Sequence, residues 1–279
     1  MMKKRQKKIS NLAFEGFMIF VALVYIYPIY LMVINSLKPF AEVVTDVISL
    51  PSKLEIENYQ YVMDKMDYGR LFLNNLVVTS VGIIGIVLFS SIAAYIMDRR
   101  KTKYTALAHM IIITPMLIPF QTIMITLLKV MNVIQLTGST WGLGIQYWGF
   151  GIPMATFIYY NFMQTIPKEL DDSAKMDGAS TLKTYIFVIF PLLKSVTATV
   201  VVLDIMWIWN DFLLPLLMVN NSPNTKTLVL AAYSFVGQFN TQWQYAMTAM
   251  VLAVLPSIIF FVILQKHVVE GVVAGAVKG

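Results

Sequence analysis

The sequence predicts an all-α fold: a polytopic membrane helical bundle of six transmembrane helices, with a short cytoplasmic helix between spans four and five. Three observations carry this prediction. The chain is 58% hydrophobic and only 13% charged over 279 residues, with mean hydropathy +0.70, whereas about a quarter of a soluble domain is charged. Six apolar runs can each cross about 30 Å of hydrocarbon, which takes ~20 residues of helix. The basic residues cluster beside those runs, as the positive-inside rule requires.

The first run, 13–36, follows Lys3, Lys4, Arg5, Lys7 and Lys8, so residues 1–11 are a basic cytoplasmic tail. The run is too long for the core of a secretory signal, and no small-residue cleavage site follows it, so an uncleaved first span is expected. Glu15, beside the tail, is an interfacial or paired acid. The connection from about Leu37 to Leu71 holds Lys38, Lys53, Lys65 and Arg70 against Glu42, Asp46, Glu55, Glu57, Asp64 and Asp67, so its acids outnumber its bases. Span two, 72–97, runs into Arg99, Arg100, Lys101 and Lys103. Span three, 105–129, contains Pro115 and Pro119; proline removes an intrahelical donor, so a kink or break is expected there. Span four, 140–163, contains GLGIQYWGFG, where glycine lets helices approach closely. Span five, 186–218, is too long for one straight crossing, so part of it tilts or lies in the interface. An outer loop over 220–243, span six over 244–265 and a tail over 266–279 complete the chain. Lysine and arginine concentrate before span one and between spans two and three. That places both termini, and the segment 165–185, in the cytoplasm.

Several chemistries are excluded. There is no cysteine, so disulfides, thiol nucleophiles and Cys-ligated metals are out. His109 and His267 alone cannot build a histidine metal cluster. The net charge of +6 sits at span ends and not along a groove with interleaved aromatics, which argues against nucleic acid. No G-x-x-x-x-G-K-[ST] run exists to cradle a phosphate, and GLGIQYWGFG lacks the lysine. No internal repeat, low-complexity tract or soluble domain is visible.

One polar patch lies between two long apolar runs, in TIPKELDDSAKMDGASTLKTYIFVIFPLL, Thr165–Leu193. Thr165 can cap a helix with Pro167 in its first turn. Glu169 and Asp171 set negative charge near the positive end of the helix dipole. Gly178 supplies a left-handed turn that stops the helix, and a second helix starts around Ser180. Any polytopic protein has polar loops; the order of residues is what distinguishes this one.

That order resembles the cytoplasmic loop of the membrane (permease) subunits of ATP-binding cassette importers. Asp172-Ser173-Ala174, Asp177-Gly178-Ala179 and Pro191 stand where that family has Glu-Ala-Ala, Asp-Gly-Ala and a later Leu-Pro, with aspartate for glutamate and serine for the first alanine. INSLKPFAE (Ile34–Glu42), WNDFLLPLL (Trp209–Leu217) and VVEGVVAGAVKG (Val268–Gly279) resemble the end of the first span, the fifth-span signature and the C-terminal tail of sugar-importer permeases. Over nearly its whole length the chain is similar to the carbohydrate branch, whose maltose-type permease subunit has six spans.

The resemblance implies a single permease domain over 1–279, with 165–185 as a coupling loop that docks on a separate ATPase. Asp172, Ser173, Ala174, Asp177, Gly178 and Ala179 are the implied coupling residues. The small ones permit close backbone approach, and Asp172 pairs with a basic group at a reach one methylene shorter than glutamate. Asp177 either shares in docking or caps the second helix. The implied partners are ATP-binding cassette ATPase subunits carrying ATP and Mg, a second homologous permease subunit, an extracellular or periplasmic sugar-binding protein, and membrane lipid. No cofactor and no bond chemistry fall on this chain, and its place is the bacterial cell membrane.

Intramembrane acids are costly and usually functional or paired. Asp204 and Asp211 are seven apart, so they share one helix face, with Trp207 on roughly the same side and Asn210 nearby. Carboxylates and amides suit sugar hydroxyls, and an indole suits a sugar's apolar face, so these four are the candidate substrate pathway. The bland alternative is that Asp211 stays wet at the outer interface and Asp204 pairs with a neighbouring helix. In the outer loop, the resemblance implies that Tyr233, Gln238 and Phe239 reach into the binding protein; an ordinary interfacial loop is the alternative. His109 is expected to hydrogen-bond between helices, and the methionines to serve as adaptable packing. Two other function classes make different demands on the sequence. An ion-gradient-driven secondary transporter needs repeats and midplane ion ligands. A membrane-embedded enzyme needs a clustered catalytic set.

Overall fold

The computed structural model describes residues 2–237 and 241–276, the side chains of 2–10, 13 and 267–276 excepted. The described residues form helices and turns with no strand. The helices are α1 (Met2–Ser36), α2 (Phe40–Thr45), α3 (Glu57–Met66), α4 (Tyr68–Arg99), α5 (Lys103–Ile113), α6 (Phe120–Val133) and α7 (Thr140–Met163). They continue as α8 (Glu169–Met176), α9 (Thr181–Leu192), α10 (Lys194–Asn210), α11 (Leu213–Val219), α12 (Leu228–Ala232) and α13 (Trp243–Ala276).

Each of the six predicted runs is helical, but they differ in how they would cross. Phe14–Ser36, Tyr68–Arg99 and Trp243–Lys266 are long and apolar enough to span by themselves. The third run is broken. α5 continues to Leu117 as a tight turn containing Pro115, Pro119 precedes α6, and the two halves meet at 106°. Both prolines lack the N–H that a continuous helix would need there. The fifth run breaks twice. α9 and α10 are bent by 75° at Leu193, two residues after Pro191, and α10 stops at Asn210 before α11 begins. Its excess length is therefore absorbed by bends and not by tilt alone. α7 has 24 residues, enough to cross at ~1.5 Å each, though its glycine, tyrosine and tryptophan content leaves it less apolar than the others.

The backbone falls into two compact units, Met1–Tyr68 with Ala231–Ala253, and Gly69–Leu230 with Val254–Gly279. In the first, the side chains of α1 from Phe14 to Val33 are largely exposed and apolar, a surface suited to lipid. The end of α1 is instead buried and tied. A helix end leaves carbonyls without partners, and here side chains supply the donors. Asn58 donates to the carbonyls of Ser36 and Lys38, 3.0 Å each, and Thr248 also donates to Ser36 O at 3.0 Å. The hydroxyls of Ser36 and Tyr59 meet at 2.6 Å, and the buried Lys38 ammonium donates to Asp46 O at 2.7 Å. INSLKPFAE is thus a polar knot, with the rings of Tyr61 and Tyr245 stacked 4.3 Å apart in the same unit.

In the second unit α4 and α7 pack closely through glycine. A Cβ on Gly85 would enter the Trp148 indole, and one on Gly151 would enter Ile86. Trp148 Nε1 donates to Val81 O at 2.9 Å, locking that contact. Asn75, fully buried, donates to Trp209 O at 3.1 Å and accepts from Leu228 N at 2.7 Å, joining α4 to the end of α10 and the start of α12. The core here holds Val78, Ile86, Leu143, Tyr147, Tyr159, Ile189, Leu193 and Val200. Two phenols pin the bent fifth run to it: Tyr185 OH meets Ser91 Oγ at 2.7 Å, and Tyr159 OH donates to Thr197 Oγ1 at 3.0 Å.

Candidate functional site

The polar patch folds as a helix, a turn and a second helix. Its first helix starts later than the capping residues suggested. The Thr165 hydroxyl donates back to Phe162 O at 2.8 Å, closing the end of α7, and Lys168 occupies the cap of α8 with no side-chain bond. Thr165 is therefore not the cap: its hydroxyl is committed to the preceding helix. At the other end, Gly178 has φ +80°, its N–H bonds Lys175 O at 2.9 Å, and Ala179 N bonds Ala174 O at 2.9 Å. This is the Schellman pattern of carbonyl closure that glycine favours. Of the two roles open to Asp177, the cap of the second helix is not the one it takes. Ser180, not Asp177, caps α9, by accepting from Lys183 N at 3.4 Å.

α8 has two faces. Asp171 and Ala174 are buried, while Asp172, Ser173, Lys175, Met176, Asp177 and Gly178 are exposed. Among the described residues Asp172 reaches only Lys175 on its own helix, at 3.4 Å, leaving its charge on the surface. Met176 is 89% exposed, an apolar side chain held out on a polar loop, and Leu182 just beyond is also exposed.

The buried face carries what the sequence did not disclose. Asp171 accepts from Tyr95 OH at 2.6 Å and from Arg99 Nε at 2.8 Å. Arg99 also pairs with Asp98 at 2.6 Å and donates to Ile166 O at 3.3 Å. One guanidinium thereby clamps α8 to the last turn of α4 and to the chain leaving α7. Charge-assisted bonds of this kind are roughly twice as strong as neutral ones. In the sequence Arg99 is simply one of a basic cluster. The available signal was that adjacent Asp171 and Asp172 must face different sides of a helix, with Asp171 three residues from Ala174 on the inner side.

The four candidate pathway residues are not one helix face. α10 ends at Asn210 and Asp211 is extended, φ −70° and ψ 136°, so the seven-residue spacing no longer aligns Asp211 with Asp204. Asp211 accepts from Tyr147 OH at 2.8 Å and from Leu213 N at 3.1 Å, holding the start of α11. Trp207 stays beside it, its ring edge-to-face with Tyr147 at 5.3 Å. With Phe120, Phe150, Leu213 and Leu214 these two line a cavity of about 160 Å³. Asn210 turns elsewhere, donating to Met206 O at 2.8 Å and accepting from Ser257 Oγ at 3.1 Å on α13. Asp204 is buried, with Oδ2 lacking a hydrogen-bond partner. So the structure brings Trp207 and Asp211 together and leaves Asp204 and Asn210 out of that group.

Tyr233 opens a tight turn over Tyr233–Phe235 and is 52% exposed. Gln238 and Phe239 lie outside the described residues. His109 packs its ring on Tyr160 at 4.3 Å, and its buried Nε2 makes no hydrogen bond, so it joins α5 to α7 by ring contact and not by the expected bond. Among the described residues no group of acids and histidines is placed to hold a metal ion.

Comparison with known proteins gives a consistent pattern. Residues 86–273 match the family described as binding-protein-dependent transport system inner membrane component. The chain is 40% identical to the probable starch degradation products transport system permease protein AmyC of Thermoanaerobacterium thermosulfurigenes, covering 93% of this chain and 94% of the relative. It is 32% identical to the multiple sugar-binding transport system permease protein MsmG of Streptococcus mutans, covering 90% and 91%. It is 30% identical to the melibiose/raffinose/stachyose import permease protein MelC of Bacillus subtilis, covering 93% and 94%. A crystal structure of a bacterial transporter that imports alginate contains a chain of the same fold, with TM-score 0.80 at 21% identity over 94% of this chain and 97% of that one.

Proposed function

Because this chain belongs to the family of binding-protein-dependent transport inner membrane components, in its carbohydrate-importing branch, we propose that it forms half of a translocation pore for a di- or oligosaccharide. A separate ATPase subunit, carrying ATP and Mg, docks on α8 and drives the pore between outward- and inward-facing states. A second, homologous permease completes the pathway, and an extracellular or periplasmic sugar-binding protein delivers the sugar near Tyr233. Both termini and α8 face the cytoplasm of the bacterial cell, where the basic residues of the tail and of Arg99–Lys103 concentrate.

The observation that carries this proposal is the construction of α8. It offers exposed Asp172, Ser173 and Met176 outward and buries Asp171 in an ion pair with Arg99 behind them. A knob that only needed solvation would not require a buried guanidinium at its base. A push on α8 passes through Arg99 and Asp98 to α4, and through Ile166 to α7. The chain itself has no phosphate-cradling run, so the energy comes from a partner.

The test is uptake of labelled maltotriose and raffinose by membrane vesicles holding the whole complex and its binding protein. Uptake that requires ATP and stops when ATP is depleted is expected. Uptake sustained by a proton gradient without ATP would establish the ion-coupled alternative instead.

A further inference from the structure

Resting on that function, we propose that this chain itself grips one ring of the travelling sugar, in the cavity bounded by Phe120, Phe150, Trp207 and Asp211. It thereby helps to choose which sugar passes.

The cavity, about 160 Å³, is smaller than the ~300–1,000 Å³ of a drug-sized ligand pocket, the scale of one sugar ring and not of an extended chain. Its walls supply what a neutral pyranose needs. The C–H faces of such a ring are apolar and its rim is hydroxyl. Trp207 is 40% exposed, while its neighbours Ile208 and Trp209 are buried. The pattern is an indole held open within a stretch that otherwise packs inward. Trp209 has Phe72 and Phe260 against it, so the difference lies in assignment, one indole to the core and one to the cavity. Phe120 and Phe150 meet edge-to-face at 5.4 Å, and Trp207 meets Tyr147 the same way at 5.3 Å. These contacts fix the ring planes before any ligand arrives.

The polar group is equally prepared. An ionised carboxylate has about four acceptor positions. Asp211 uses one for Tyr147 OH and one for Leu213 N. Those two bonds orient the carboxylate and leave acceptor capacity for hydroxyl donors. A carboxylate needed only to cap α11 would not call for a tyrosine on α7, nor for three further aromatic rings around the space beside it. The recognised chemistry is therefore a neutral sugar ring, stacked on Trp207 with hydroxyls donating to Asp211.

The experiment uses the assembled complex with its binding protein in proteoliposomes, and compares labelled maltotriose with labelled raffinose. The readout is the ratio of their uptake rates, because a purely structural defect lowers both in proportion. Trp207→Leu is expected to change that ratio about fivefold, as loss of an aromatic contact does. Trp207→Phe should return it to within about twofold of the parent, and Asp211→Asn, whose one oxygen can still accept from Leu213 N while its NH2 donates to the Tyr147 hydroxyl oxygen, should also shift it. Parallel loss of both sugars, or an unchanged ratio in Trp207→Leu and Asp211→Asn, overturns the sugar-ring site and leaves the importer function standing. A parent complex that accumulates neither sugar overturns both.

Discussion

Replacing Arg99 by alanine removes the guanidinium shared by two carboxylates that are only 1% and 4% exposed, Asp98 and Asp171. Breaking a buried pair from one side costs about 3–5 kcal/mol, because a charge is left without compensation. Two features put this case near the lower end. Asp171 keeps its bond from Tyr95 OH, and Lys101 lies 4.0 Å from Asp98. About 3 kcal/mol, at ~1.4 kcal/mol per factor of ten, is roughly a hundredfold shift from anchored toward released α8. The assay is amide hydrogen exchange on the intact complex in lipid nanodiscs. Segment 169–179 should exchange about a hundredfold faster in Arg99→Ala, and sugar moved per ATP hydrolysed should fall. Arg99→Lys should be intermediate, since an ammonium cannot reproduce the fork that reaches Asp98, Asp171 and Ile166 O together. Unchanged exchange and unchanged sugar per ATP in Arg99→Ala would refute the clamp. So would faster exchange spread evenly over α4, α7 and α8, since that reports general loosening.

Other perturbations test separate parts of the fold. Gly178→Val meets open space at its Cβ but a backbone at φ +80°, costing about 1–2 kcal/mol of strain; ATP hydrolysis without matching uptake is expected, and normal uptake would count against a coupling role for the turn. Gly85→Leu drives a side chain into the Trp148 indole, so α4 and α7 should separate, read as loss of the assembled complex on size-exclusion chromatography. Asn58→Ala removes the donor to Ser36 O and Lys38 O; at about 1–3 kcal/mol per buried group left unsatisfied, it should lower the thermal midpoint of the complex by several degrees. Asp46 accepts from Ser49 N and Ile48 N, 3.1 Å each, and these bonds, Ser49's first, hold its carboxyl below the usual carboxylate range. A depressed value means the turn is intact at neutral pH and is lost as pH falls through that lowered value. Protection of the Ile48 and Ser49 amides, taken relative to their intrinsic exchange rates, should therefore be lost only in acid, below the usual carboxylate range.

How much of this was legible in the sequence depended on distance along the chain. The spans, the proline breaks at Pro115 and Pro119, the stop at Gly178 and the start at Ser180 are local features, and local composition declares them. The close helix contact at Gly151 was legible because glycine in an apolar helix has few other uses. The clamp was not: Arg99 and Asp171 are 72 residues apart, and their residue types fit a solvated loop equally well. Asn75 holds Trp209 and Leu228 across 134 and 153 residues, again with no local trace. Asp204 and Asp211 part company for a different reason. WNDFLLPLL has no breaker before Pro215, so its periodicity reads as helix past Asn210, whereas the helix stops there, with Asn210 and Asp211 bonded to Ser257 and Tyr147, residues distant in the sequence.

Under the proposed function, force enters this chain at α8 from a nucleotide-hydrolysing partner. The parent sequence contains no cysteine, so Ser173→Cys, on the exposed face of α8, gives the subunit a unique thiol. Cross-linking from that thiol in the active complex should yield an adduct with the ATPase subunit, while Ser52→Cys, on the connection after α2, should yield none. An active complex in which Cys at 173 forms no such adduct, or is labelled by an impermeant reagent from outside the cell, would contradict the claim.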